Sequence, residues 1–269
     1  MVSVVANLSG HTDLSVASLL GSNISNVLLI LGVAAIIRTL PVTDATVLTE
    51  IPFSLSSVLL VGFLANAALF STAADLSISR LDGAILLFFF ALFMVYVLKM
   101  AKAGFKAVGA DDSPITSLPI SLLLIVVGIF GLYLGGNWVV QGTIKIATSM
   151  GIGETMIGLT VVAIGTSLPE LSASAMAAWR GKTDLAVGNV VGSNIFNLLW
   201  VLGVTAAIRE MPFDVVNNTD LAMVVFATTL VIVAIALGRK GTIERWHGVM
   251  FLLVYLAYLV FVVGRGLSR

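Results

Sequence analysis

Gly165-Thr166-Ser167-Leu168-Pro169-Glu170 is the stretch that decides how this chain is read. It lies within an apolar run from about Ile152 to Trp179, long enough to cross a bilayer. A span of that kind should avoid proline and carboxylates, yet this one carries both, next to Thr and Ser. Pro169 has no N–H, and its ring displaces the carbonyl of Gly165 four residues back, so the helix must break or kink there. Freed carbonyls, hydroxyls and a carboxylate at membrane depth are tolerated only where they line a cavity or bind a cation. The stretch is a candidate ion site.

The rest of the chain agrees with a membrane setting. Mean hydropathy is +1.10, and only 10% of the 269 residues are charged, where a soluble domain would carry roughly a quarter. The chain is therefore expected to be an all-α polytopic membrane protein, with membrane lipid as its surroundings. Zero formal net charge gives no case for nucleic acid. With no Cys there is neither a disulfide nor a thiolate metal site. Met1 runs into Val2-Ser3-Val4-Val5 without a basic leader.

Hydropathy places spans at about Leu14–Ile37, Ile51–Phe70, Gly83–Met100, Leu118–Val140 (continuing towards Ser149), Ile152–Trp179, Leu185–Ile208, Leu221–Leu237 and Val249–Val263. Met1–Leu8 is an apolar stub too short to span. Ala101–Ser117, with Lys102, Lys106, Asp111, Asp112 and Pro114, reads as a polar linker between two halves. The division expected is a first repeat over residues 1–100, a linker over 101–117 and a second repeat over 118–269.

The halves are related. Adding 171 to each position from Met1 to Pro41 lands on Ser172 to Pro212 without a gap, and roughly half the aligned residues are identical. Gly21-Ser22-Asn23-Ile24-Ser25-Asn26 falls on Gly192-Ser193-Asn194-Ile195-Phe196-Asn197, and Arg38 and Pro41 fall on Arg209 and Pro212. Lys99, Lys102 and Lys106 assign the linker to the cytoplasm, because basic residues favour that side. Counting spans outward, Arg38, the Arg180–Lys182 loop and the loop with Arg239, Lys240 and Arg245 share that face. An odd number of spans separates the two Thr-Asp loops at Thr12 and Thr183, so the repeats are inverted. Inverted repeats with broken helices near the midplane are a recurring plan of secondary transporters.

Among the acidic residues only Glu170 lies deep inside an expected span; the others fall in loops or near span ends. Its bland alternative is a protonated Glu bonded across helices. Thr166 and Ser167 alone would often serve as helix–helix contacts, but beside Pro169 and Glu170 they read as ligands. Ser22 and Asn26, like Ser193 and Asn197, are four apart and share one helix face. Their hydroxyl and amide oxygens suit hard cations such as Na⁺ and Ca²⁺. Gly21 and Gly192 are read as close-packing positions. His11 and His247 are read as membrane-face residues, and Phe88-Phe89-Phe90 as lipid-facing or core filler.

At Gly165–Glu170 and at Gly188-Asn189-Val190-Val191-Gly192-Ser193-Asn194-Ile195-Phe196-Asn197 the chain resembles the cation/Ca²⁺ exchanger superfamily, in its prokaryotic sodium/calcium exchanger type. The resemblance implies an inverted-repeat antiporter exchanging Na⁺ for Ca²⁺ by alternating access. It is not an enzyme on this reading, and it needs no cofactor beyond the transported ions. It also implies that Glu170, Thr166, Ser193 and the Ala163 carbonyl are cation ligands. Asn197 stands where several family members have Asp. The expected location is the prokaryotic inner membrane. One departure stands out: the family repeats the Gly-Thr-Ser-Leu-Pro-Glu motif in its first half, whereas here Met1 aligns with Ser172, past that point. The expectation is an N-terminally incomplete chain, with a transport-incompetent membrane subunit or scaffold as the alternative function.

Overall fold

The computed structural model describes residues 12–67, 76–107, 117–149, 167–239 and 241–267. Met1–Leu8 and His11 lie outside these residues. The aligned half of each repeat folds alike. In the first, α1 (Thr12–Ser25) runs through a π-helical turn, Asn26–Ile30, into α2 (Leu31–Ile37) and a two-residue strand β1 (Leu40–Pro41). A second π-turn, Thr46–Glu50, then opens α3 (Ile51–Ala65), and β2 (Ser77–Ile78) precedes α4 (Arg80–Ala107).

After α5 (Leu118–Ser149) comes the half-helix α6 (Leu168–Trp179). Then α7 (Thr183–Ile195), a π-turn at Phe196–Val201, α8 (Leu202–Ile208) and β3 (Met211–Pro212) repeat the first pattern. The chain closes with α9 (Asn217–Leu237), β4 (Thr242–Ile243) and α10 (Arg245–Leu267). A π-turn inserts an extra residue into a helix and re-aims the side chains on either side of it; such turns concentrate at functional sites. Here two of them sit at the repeat-related positions directly after the Gly-Ser-Asn motifs.

Local chemistry explains the ends. Arg38 and Arg209 are extended, which stops α2 and α8 ahead of Pro41 and Pro212. Pro169 sits in the first turn of α6, where its missing N–H removes no helical bond. The sequence therefore starts a helix at the expected break. With 12 residues, α6 is about 18 Å long, too short to span alone. It ends in a Schellman motif: Gly181 at φ 77° lets Lys182 N–H reach the Ala177 carbonyl at 2.9 Å.

The two repeats are inverted. β1 pairs antiparallel with β4, and β2 with β3. The 21 residues of α9 separate β3 from β4, about 31 Å of helix, so the two clips lie on opposite faces. β1 and its repeat counterpart β3 are therefore on opposite sides. Arg38 reaches the α6–α7 turn, with Nη1 at 3.0 Å from the position of a Cβ on Gly181. Arg38, that turn and the Arg239–Arg245 loop thus share one face, as the charge argument requires.

Close crossings hold the bundle. α2 packs on α10 at Gly32 and Gly248, and α8 packs on α4 at Gly203 and Gly83. Without a hydrophobic drive between helices in lipid, backbone contact through glycine supplies van der Waals attraction. Gly32 and Gly203 are repeat counterparts, so one crossing is the other's image. Outward faces carry Leu59, Phe63, Phe88 and Val260, each more than half exposed, as a lipid-facing surface should.

Six helical segments among the described residues are long and apolar enough to cross a membrane. The other two of the expected spans fall on α5 and on Ile152–Trp179, of which only α6 is described. Three expectations need correction. α4 continues to Ala107, seven residues past the expected span end at Met100. α9 begins at Asn217 and takes Asp220 into its first turn, where it is buried against Arg265. His247, read as a membrane-face residue, is fully buried within the protein in the first turn of α10, with Nδ1 accepting the Glu244 N–H at 3.0 Å.

Candidate functional site

Glu170 stands in the first turn of α6, directly after Pro169. Its Oε2 is buried and has no hydrogen-bond partner among the described residues. Asn189 on α7 ties this turn down: its Nδ2 donates to Ser174 Oγ at 2.8 Å and, at 3.5 Å, to the Glu170 carbonyl. Asn189, Ser193 and Asn197 follow one another at four-residue intervals, so they line one face of the helix. With Glu170 they wall an open cavity of about 470 Å³. Gly188 and Gly192 keep that wall low, and Phe196 and Val201 complete its described lining.

Among the described residues the wall holds one carboxylate, a hydroxyl and two amides, and no Lys or Arg. Among the described residues no group of three or more His, Asp or Glu gathers anywhere. The described lining offers a single negative charge and neutral oxygens, a donor set for a hard cation.

A second layer of asparagines lies where the two repeats meet. Asn26 Nδ2 donates to Asn194 Oδ1 at 3.0 Å, and Asn197 Nδ2 donates to Asn23 Oδ1 at 3.2 Å. Asn194 Nδ2 donates to the Asn23 carbonyl at 3.3 Å. Asn23, Asn26 and Asn194 are almost wholly buried. Asn26 Oδ1, like Glu170 Oε2, has no partner among the described residues. Each is an acceptor removed from water and left open, a costly arrangement unless something positive completes it.

Of the residues proposed from the sequence, Glu170, Ser193 and Asn197 come together on the cavity wall. Asn26 is joined to them through Asn194. Ser22 is half-buried on α1 and is not part of the described lining. Thr166 and Ala163 lie outside the described residues. Asn189, Asn23 and Asn194 were not singled out as site residues by sequence reasoning. The usable signal was repeat identity: Asn23 and Asn194 match each other and lie three residues before Asn26 and Asn197, on the same helix face.

Inverted helical repeats around a half-helix that bears a half-buried carboxylate define the class, a polytopic secondary transporter for small cations. Comparison with known proteins gives the family. The family model "Sodium/calcium exchanger protein" matches residues 1–99 and 120–264. The chain is 35% identical over 266 residues to "Putative antiporter CaxA" of Alkalimonas amylolytica, covering 96% of this chain and 81% of that protein. It is 32% identical over 271 residues to "Inner membrane protein YrbG" of Escherichia coli (strain K12), with coverage of 96% and 81%. A solved structure of the sodium-calcium exchanger NCX_Mj superposes with a TM-score of 0.74 at 31% identity, covering 97% of this chain and 80% of that one. The chain belongs to the sodium/calcium exchanger family, as an integral membrane protein of the prokaryotic type with that fold.

Proposed function

We propose that this protein is a secondary active antiporter that exchanges Na⁺ for Ca²⁺ by alternating access. The observation that carries the proposal is Glu170: its Oε2 is buried without a partner among the described residues, at a cavity whose wall also offers Ser193 and Asn197. Glu170 serves as the charged ligand. Ser193, Asn197, Asn26, Ser22, Thr166 and the Ala163 carbonyl supply neutral oxygens as the cavity opens to one side or the other. Both ions compete for these oxygens, so Na⁺ running downhill displaces Ca²⁺. Ca²⁺ takes about six to eight oxygens, which a single carboxylate can reach only with several neutral ones. The names of the relatives favour this reading, since one is named "Putative antiporter CaxA" and another is a sodium-calcium exchanger. Residues 1–100 and 118–269 form the two repeats, in the inner membrane, with the Arg38 face towards the cytoplasm.

The test is ⁴⁵Ca²⁺ uptake into proteoliposomes driven by an outward Na⁺ gradient. Glu170→Gln keeps the side-chain shape and removes the charge, so uptake should fall to that of protein-free vesicles. Wild-type uptake by a folded, inserted variant would overturn the assignment.

A further inference from the structure

We propose that Asn23 and Asn194 are positioning residues that aim the ligand oxygens of Asn197 and Asn26, each acting on the opposite repeat. The proposal rests on the cation-site reading above and extends it.

A carboxamide presents an oxygen and an NH₂ of almost the same shape, and only the oxygen can ligate a cation. Its terminal torsion is broad and close to two-fold. An untethered Asn in a cavity therefore shows the wrong end for much of the time. The structure removes that freedom. Asn26 Nδ2 is committed to Asn194 Oδ1 at 3.0 Å, and Asn197 Nδ2 to Asn23 Oδ1 at 3.2 Å. With the NH₂ groups occupied, the atom left on Asn26 is its buried Oδ1, which has no partner among the described residues. Turning Asn26 over would set Oδ1 against Oδ1, two acceptors in contact at a buried site.

The two tethers are images of each other under the 171-residue offset, since Asn23 corresponds to Asn194 and Asn26 to Asn197. They are not equally firm. Asn194 is itself anchored, because its Nδ2 donates to the Asn23 carbonyl at 3.3 Å. Asn23 Nδ2 is buried with no partner among the described residues, so none of them fixes that amide further. The Asn26–Asn194 tether is therefore rigid. The Asn23–Asn197 tether can reverse if both amides turn together. The second repeat thus holds the first repeat's ligand more tightly than the reverse.

The experiment is a double-mutant cycle on Ca²⁺ binding, measured by isothermal titration of the purified protein. Asn23→Ala leaves the backbone carbonyl that anchors Asn194 and removes only the tether of Asn197. It should weaken Ca²⁺ binding about tenfold, and Asn197→Ala by a similar factor. If Asn23 acts through Asn197, the double variant should be no weaker than the worse single one. Asn23→Ala combined with Asn26→Ala should instead multiply to about a hundredfold, because separate effects add in free energy. The pairing should swap for Asn194, which couples to Asn26. Multiplication in every pair, or melting-temperature losses with unchanged Ca²⁺ affinity, would mean plain inter-repeat packing and overturn the proposal. Where an Ala variant does not purify as a monodisperse species, Ser at the same position runs the same cycle, its hydroxyl being too short to reach the partner amide. Glu170→Gln separates the two levels. Undiminished Ca²⁺ binding there overturns the site reading and the tethers with it. Lost binding there, with no pair-specific coupling, overturns the tethers alone.

Discussion

Arg265 near the end of α10 holds Asp220 in the first turn of α9 by a two-pronged ion pair. Nη2 lies 3.0 Å from Oδ2, and Nη1 donates to Oδ1 at 3.2 Å. The Tyr258 hydroxyl donates to Oδ1 at 3.1 Å, and Arg265 Nη1 also reaches Thr219 Oγ1 at 2.7 Å. The Asp220 side chain is 4% exposed and that of Arg265 25%. Asp220 also faces the positive end of its own helix.

Removing one partner of such a pair strands a buried charge. Arg265→Leu should therefore destabilise the protein by about 3 kcal/mol, more than removal of both charges together. Thermal melting in detergent checks this: the double variant Asp220→Asn/Arg265→Leu should melt above Arg265→Leu alone. The reverse order would show that Asp220 stabilises the fold through contacts other than Arg265, such as the Tyr258 hydroxyl.

The glycine crossings predict where a single methyl group is tolerated. A Cβ on Gly83 would lie 2.6 Å from Ala207 N and 2.8 Å from the Gly203 carbonyl, and one on Gly248 would lie 2.6 Å from the Gly32 carbonyl. Backbone cannot swing aside as a side chain can, so Gly83→Ala and Gly248→Ala should each cost about 1–3 kcal/mol. Gly264 on the same helix as Gly248 has nothing within 4 Å of a Cβ. Gly264→Ala should be neutral or stabilising by up to about 1 kcal/mol. Melting temperatures of the three variants decide it.

Sidedness can be read by labelling, because the chain has no Cys of its own. Thr39 and Glu210 are exposed, lie one residue before β1 and β3, and correspond under the 171-residue offset. Thr39→Cys and Glu210→Cys should react with an impermeant maleimide from opposite sides of oriented vesicles. Reaction of both from one side would contradict the inversion.

Two helix starts use a side chain three residues in as a cap for the preceding N–H. Asp82 Oδ2 accepts the Ser79 N–H at 2.8 Å ahead of α4, and His247 Nδ1 accepts the Glu244 N–H at 3.0 Å ahead of α10. Asp82→Ala should cost about 1 kcal/mol, as loss of a cap does. His247→Ala should cost more, about 2 kcal/mol, because it also empties a fully buried position. Urea or thermal unfolding of the pair ranks them, and equal losses would mean that the His247 ring fills no space of consequence.

The sequence by itself determined a good deal here. Pro169 had to interrupt a span because it lacks an N–H, and the structure starts α6 there. The 171-residue offset and the placement of Lys and Arg implied inverted repeats, since both are properties of the chain in order. Glu170 stood out because a carboxylate deep in an apolar run has few uses. Only tertiary structure decided the rest. Asp220 and His247 sit at helix ends, where sequence cannot tell a wetted side chain from one covered by Arg265 or folded into a cap. The sequence made Ser22/Asn26 and Ser193/Asn197 equivalent, yet Ser193 and Asn197 line the described cavity wall while Asn26 turns into the asparagine layer. Repeat identity is a symmetry of sequence, and a cavity opening is a property of how two repeats pack at one moment. The cross-tethers of Asn23 to Asn197 and Asn26 to Asn194 join residues far apart in the chain. A hydrogen bond of that kind exists only once helix packing has brought the amides within 3.2 Å of each other, so no local pattern could have announced it.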